Sequence, residues 1–394
     1  MAEPKLRFKG FEQSWEQDDF SGIGKYRKVP NSSVHHQNLL SLSYGKIVRK
    51  DIDSRKGLLP ASFDTYQIVD NGTVVFRFTD LQNDKRSLRV GLSGEEGIIS
   101  PAYVCVDVQN MLPQFFYYQM YSYDLRKVFY RMGDGLRQTL SYNEVKWMPI
   151  YSPTEAEQKL IVSSIGLIEQ RIAIIEKEIM RLQQTKVAAM ASMFPQKGEL
   201  VPRVRFKGFD EPWKSIKAGK LFKTFNERNR PDLPVLSAFQ DNRGMAVRED
   251  SGYSISHDIR NEATYKHVLP GQFVMHLRSF QGGFAHSSVE GITSPAYTVF
   301  GFIDEDSNYD FFWKLIFMSK ALVKRLETIT YGIRDGRSIS FDEFLNLFFL
   351  VPSKAEQQKI AEFFQNLDRQ IECQTQILER LKRVKAACLD QMFV

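Results

Sequence analysis

The chain has 394 residues, a formal net charge of +6, 43% hydrophobic and 25% charged residues. That length leaves room for two or three domains, each able to bury its own core, and the fractions are those of an ordinary globular protein rather than a disordered one. No apolar run reaches the length of a membrane span, and Met1-Ala2-Glu3-Pro4-Lys5 lacks the apolar core of a secretion signal. Cys105, Cys373 and Cys388 are an odd, widely spaced set, which predicts reduced thiols in a cytoplasm. The positive balance favours a polyanionic partner without deciding for one.

In chain order, the first feature is Pro4-Lys5-Leu6-Arg7-Phe8-Lys9-Gly10-Phe11 followed by Trp15. It returns as Pro202-Arg203-Val204-Arg205-Phe206-Lys207-Gly208-Phe209 followed by Trp213. These aromatics are expected to anchor the start of each copy against its core. Gly45 to Asp51 matches Gly244 to Asp250, including Arg49 and Arg248. Tyr66 to Phe76 reads as a strand, an Asn71-Gly72 turn and a second strand, a hairpin signal, with Tyr265 to Met275 as its copy. Gly97-Ile98-Ile99-Ser100-Pro101-Ala102-Tyr103 returns as Gly291-Ile292-Thr293-Ser294-Pro295-Ala296-Tyr297. Between these matched segments the copies differ: Asp80 to Arg89 has no likeness to Ser279 to His286. The chain is therefore a duplicated mixed α/β unit with internal pseudo-twofold symmetry and unlike loops, which suits a two-part target.

Each globular part is followed by one long helix, near 154–194 and 353–393, opening after Pro153 and Pro352. Apolar residues in the first recur at Ile161, Ile165, Ile168, Ile172, Ile175, Ile179 and Leu182. In the second they recur at Ile360, Phe364, Leu367, Ile371, Leu378 and Leu381, with Gln374 breaking the stripe. Steps alternating four and three are the coiled-coil signature, and polar breaks at Gln374, Lys186 and Lys385 set register. Continued through Ala189 and Met193 in the first and Cys388 and Met392 in the second, a stripe over five heptads needs a long partner, and pseudo-twofold symmetry makes an antiparallel pairing of the two helices the natural one. A 40-residue helix is about 60 Å long, so the pair would hold two lobes apart.

Catalytic signatures are missing. The sequence has no phosphate-binding loop, no dinucleotide fingerprint, no Asn/Asp-Pro-Pro-aromatic motif and no nucleophile elbow. The six histidines, His35, His36, His257, His267, His276 and His286, show no zinc spacing, so no metal and no catalytic residue is expected. Glu157-Gln158-Lys159 has the form of a nuclease triad, but its copy reads Glu356-Gln357-Gln358, and the glutamate reads as helix-opening charge.

Binding chemistry is better represented. In the first copy the candidates are Arg49, Arg77, Lys85, Arg86, Arg89, Arg131, Arg137 and Gln138. In the second they are Gln240, Arg243, Arg248, His276, Arg278, Ser279, Gln281, Tyr331, Arg334 and Arg337. Arginine can grip guanine edges at two points, glutamine can do the same with adenine, and cations neutralise phosphates. As single residues these equally suit solvated loops; as a set they favour DNA, because the same loop positions are basic or amide-rich in both copies.

These repeated segments together resemble the specificity (S) subunit of Type I restriction–modification systems. The likeness covers essentially the whole chain and includes Leu140-Ser141-Tyr142, Ile339-Ser340-Phe341 and the Ala-Glu-Gln that opens each long helix. The resemblance implies two target recognition domains, 1–151 and 195–351, and two antiparallel spacer helices, 152–194 and 352–394. It implies double-stranded DNA as ligand, one half of an asymmetric bipartite site per lobe, and two modification (methyltransferase) subunits and restriction subunits as partners. It implies no cofactor on this chain, with S-adenosylmethionine on the modification subunit and ATP and magnesium on the restriction subunit. Each lobe would read about three to five base pairs, and a spacer of about 60 Å caps the gap at about 18 base pairs. A different class also fits the helices: a coiled-coil assembly scaffold with no sequence readout.

Overall fold

The computed structural model describes residues 3–33, 36–51, 60, 62–79, 81, 88–133, 139–239, 243–248, 259–275, 283–327 and 340–394. They form two units, Met1–Glu178 with Gln374–Val394, and Ile179–Cys373. Each unit therefore holds one globular lobe, the opening part of one long helix and the closing part of the other.

The first lobe runs β1 (Glu16–Asp19), α1 (Phe20–Ile23), β2 (Gly24–Arg27), β3 (Leu40–Ser43), β4 (Lys46–Arg49), β5 (Gln67–Val69), β6 (Val74–Phe76), β7 (Val90–Leu92), β8 (Gly97–Ile99) and β9 (Val104–Val108). It continues through α2 (Pro113–Leu125), α3 (Val128–Met132), α4 (Tyr142–Val145) and β10 (Pro149–Ser152) into the long helix α5 (Glu155–Ser192). The second lobe runs β11 (Lys214–Lys217), β12 (Phe222–Phe225), β13 (Leu236–Phe239), β14 (Gly244–Val247), β15 (Lys266–Val268), β16 (Phe273–Met275), β17 (Phe284–His286), β18 (Gly291–Thr293) and β19 (Thr298–Phe302). There follow α6 (Asp310–Phe317), α7 (Lys320–Glu327), α8 (Phe341–Leu345), β20 (Phe348–Val351) and the long helix α9 (Lys354–Gln391).

The duplication holds strand by strand. Lobe one has a four-stranded sheet in the order β2-β9-β6-β7 and the pairs β1-β10, β3-β4 and β5-β8; lobe two has β12-β19-β16-β17 with β11-β20, β13-β14 and β15-β18. All the pairings are antiparallel. The fold is thus mixed α/β, as the repeat and its patterning predict.

The hairpin expected across Asn71-Gly72 does not form. The turn is present, with the Thr73 N–H donating to the Asp70 carbonyl at 3.1 Å and Gly72 at φ 94°. Yet β5 pairs with β8, while β6 pairs with β7 and β9. Only the glycine has positive φ there, which is type II geometry and splays the strands; a two-residue hairpin needs positive φ at its first central residue. In the second copy Pro270, with φ fixed negative, stands at that first position. All six residues of β5 and β6 are buried, so neither strand has a solvent face.

Each lobe closes on its helix ends through aromatic packing. The first core gathers Phe20, Phe76, Phe115, Phe116 and Trp15 with Ile161 and Ile165 of α5 and Leu389, Met392 and Phe393 at the end of the chain. The second gathers Phe222, Phe273, Trp213 and Trp313 with Ile360 and Phe364 of α9 and Ala189 and Met193 of α5. Every residue of both predicted stripes is buried or half-buried, Gln374 included. In the first unit Lys385 pairs with Glu169 at 2.7 Å and Lys382 with Glu176 at 3.6 Å; in the second Lys186 pairs with Asp368. In the first unit the partner's number falls as the residue's number rises, so these stretches run antiparallel.

The conserved-looking openings of the two copies meet the first turn of each long helix. Arg7 donates to both oxygens of Glu157 at 2.8 and 2.9 Å, and Arg205 does the same to Glu356 at 2.7 and 2.8 Å. Glu157 and Glu356 are 0% and 1% exposed. The glutamate read as helix-opening charge is therefore a buried half of an ion pair. Next to it, Gln158 accepts from the Leu112 N–H at the head of α2 and donates to the Pro153 carbonyl; Gln357 accepts from Tyr309 at the head of α6 and donates to the Pro352 carbonyl. Removing one member of a buried pair strands its partner at a cost of about 3–5 kcal/mol. Arg205→Ala and Glu356→Ala should each lower the stability of the second unit by about 3 kcal/mol, and the double variant by less than the sum. Urea unfolding followed by fluorescence, with Trp213 and Trp313 in the second core, measures all three.

Candidate nucleic-acid interface

Alternating Leu40, Ser41, Leu42 and Ser43 put two leucines into the core, and the ribbon returns as Lys46 to Arg49. Between them Tyr44 and Gly45 both have positive φ, 47° and 76°, and Ser43 pairs with Lys46. This is a two-residue turn whose twist matches that of the strands. The tip is pinned from behind: the Tyr117 hydroxyl of α2 donates to the Gly45 carbonyl at 3.3 Å. Burial drives the Tyr117 phenol well above its ordinary value, so it stays a donor. A side chain added at Gly45 would meet Leu88. The ribbon tip therefore lies beside the exit of the 80–89 segment, the part of the first lobe unlike anything in the second.

The second lobe builds the same juxtaposition with other residues. Ribbon β13-β14 ends at Arg243 and Gly244, and Gly244 has φ 73° with the His286 carbonyl 2.2 Å from where a Cβ would stand. Only glycine fits that approach. His286 closes the 276–286 segment, buried with its ring nitrogen 2.7 Å from Asp310. In both copies, then, a ribbon tip abuts the exit of the unlike loop.

Six of the eighteen expected DNA contacts lie within the described residues. Arg49, exposed, pairs with Glu95 and braces the first ribbon on the β7-β8 turn, and its hydrogen bond holds the Glu95 carboxyl below the usual range. Arg248, half-buried, donates to the Ser237 hydroxyl at 3.1 Å and braces the second ribbon. Arg243 is exposed at the tip, its guanidinium 4.0 Å from the centre of the Phe239 ring. Arg131 is exposed on α3 and donates to the Arg126 carbonyl at 3.1 Å. Arg77 is half-buried, its N–H donating to the Arg89 carbonyl at 2.8 Å. Lys85, Arg86, Arg137, Gln138, Gln240, His276, Arg278, Ser279, Gln281, Tyr331, Arg334 and Arg337 lie outside the described residues.

Arg89 needs a correction. It is 2% exposed and donates to the Thr79 carbonyl at 2.8 Å, while its backbone N–H donates to Asp124. It joins the two ends of the 80–88 segment from inside the lobe instead of lying at the surface. Composition alone could not separate a neck arginine from a tip arginine. Tyr44 is the opposite case: the ribbon tip was legible as Tyr-Gly between an alternating Leu-Ser-Leu-Ser run and Lys-Ile-Val-Arg, but Tyr44 carries no charge and was not singled out.

Nothing described resembles a reaction centre. A pocket of about 350 Å³ beside Tyr123, Val128, Met132 and Trp147 holds one carboxylate, Glu144. That carboxylate caps α4 with Ser141. Among the described residues no group of three or more His, Cys, Asp or Glu is placed to hold a metal ion, and no helix is long and apolar enough to cross a membrane.

Two lobes of one topology, each continued by a long helix and carrying unlike loops beside matching ribbons, define a duplicated architecture. Residues 214–383, within the second copy, match the Type I restriction modification DNA specificity domain. The whole chain has the fold of a Type I S subunit. It is similar to the S subunit of a Type I restriction–modification system from M. genitalium, with a TM-score of 0.61, 13% identity and coverage of 100% of this chain and 99% of that one. It is also similar to a chain from a structure describing complex assembly and conformational transition of the type I R-M system, with a TM-score of 0.52, 16% identity and coverage of 98% and 99%. No curated protein matches the sequence.

The loop neck supplies a pH test. Burial raises Asp124 to about 6 against the opposing hydrogen bond from Arg89. A raised carboxyl favours the fold below its unfolded value, near 4, and that contribution is lost as pH rises through about 6. Asp124→Asn retains an acceptor without the charge. It should stabilise the first unit by about 3 kcal/mol at pH 7 and by nothing at pH 4. Thermal melting at the two pH values measures this.

Proposed function

We propose that this chain is the DNA specificity subunit of a Type I restriction–modification complex. On this reading each lobe reads one half of an asymmetric bipartite site in double-stranded DNA, and the long helices set the gap between the halves. The chain itself does no chemistry. It directs adenine methylation by two bound modification subunits, which carry S-adenosylmethionine, and cleavage by restriction subunits using ATP and magnesium, in the cytoplasm. The observation that carries the reading is the pairing of identical topologies with unlike loops, always beside the same ribbon. A reader must hold its framework constant and vary what meets the base edges. A scaffold has no reason to diverge at those loops.

The test is a genome-wide map of methylated adenines in cells given this chain with its modification subunit, against cells lacking the chain. A new two-part motif with a fixed gap is expected. Replacing residues 1–151 with the first lobe of another S subunit should change one half of that motif and leave the other. A complex that co-purifies intact and yields no motif would instead support the scaffold.

A further inference from the structure

Tyr44 is 79% exposed, the most exposed of the large apolar side chains among the described residues, and it holds φ 47°. A bulky residue in the left-handed region costs about 1–2 kcal/mol, and asparagine or glycine would fill the same turn more cheaply. Neither relief has been taken. The ring gains nothing in return from the fold, since it projects into solvent while its own turn is fixed by Tyr117 and by the Arg49–Glu95 brace. Its surroundings on the ribbon are cationic: Lys46, Arg49 and Lys50 are all exposed. A two-stranded ribbon fits the major groove, which is about 12 Å wide. In the second lobe the residue immediately before the positive-φ Gly244 is Arg243, a residue type suited to guanine edges.

We infer that Tyr44 is a specificity-determining contact of the first lobe. The β3-β4 ribbon enters the major groove with Lys46 and Lys50 on flanking phosphates, and the Tyr44 ring lies against a base edge, apolar face to a thymine methyl and hydroxyl to a base acceptor. Arg243 occupies the matching place for the second lobe, so the two ribbon tips read different chemistry from one framework position. This rests on the DNA-reading function proposed above.

The experiment uses the complex of this chain with its modification subunits and short duplexes bearing the mapped motif, with the first-lobe or second-lobe half scrambled in turn. Tyr44→Asn suits the turn and should fold at least as well as the wild type, which thermal melting checks; Lys46→Ala is the comparison. Tyr44→Asn is expected to reduce discrimination against the scrambled first half by about 10-fold or more, to leave the second half untouched, and to keep the salt dependence of binding. Lys46→Ala should weaken binding to all duplexes alike and lower the salt slope by about one. A Tyr44→Asn complex that discriminates as the wild type does overturns the inference alone, and so does a uniform loss across all duplexes. A wild-type complex that prefers no duplex removes the DNA-reading function and the inference with it.

Discussion

A carboxylate buried in the first turn of a helix must find a cation or lose its charge. Glu157 and Glu356 find Arg7 and Arg205, about 150 residues earlier in the chain, and this long-range demand organises each half. The arginine brings the opening segment back over the lobe, where it also donates to a backbone carbonyl, that of Gln13 or Glu211. The neighbouring glutamine then ties the helix to the head of α2 or α6. Helix direction is thereby fixed relative to the lobe that precedes it. Aromatic packing supplies most of the burial, but it is non-directional; the Arg–Glu and glutamine contacts supply the angle.

The same logic explains why framework and loops can diverge at different rates. The sheets, the type II turns and the helix clamps use hydrogen bonds that recur in both copies with different neighbours. The segments that differ begin and end at fixed necks. In lobe one the neck is Thr79, Arg89 and Asp124; in lobe two His286 and Asp310 close the corresponding exit. A loop tethered this way can change its sequence without disturbing the β-strands that present it.

The fold was legible where periodicity or repetition fixes geometry. The heptad stripes from Ile161 and Ile360 predicted which helix faces are covered, and the repeated segments predicted one topology used twice. The Asn71-Gly72 hairpin was misread because both flanking strands are buried on two faces, so there was no alternation to contradict the turn signal, although Pro270 in the copy already excluded a primed turn. Arg89 was misread because arginine type does not report whether a guanidinium faces water or a carbonyl. Glu157 was undervalued because its partner lies far away in sequence. Of the expected DNA contacts, those within the described residues divide into braces, a neck and exposed groups, a sorting that depends on three-dimensional neighbours.

In the second unit the Val204 N–H donates to the Ser192 carbonyl at 3.0 Å, about a dozen residues away in sequence; in the first, the Leu6 N–H makes the equivalent bond to the Gln391 carbonyl at 2.8 Å, between residues far apart in sequence. One joint closes a short loop and the other a very long one, yet both have the same hydrogen bond and the same Arg–Glu clamp. The joint therefore does not depend on a short link between its two sides: the same contact forms across a dozen residues and across nearly the whole length of the chain.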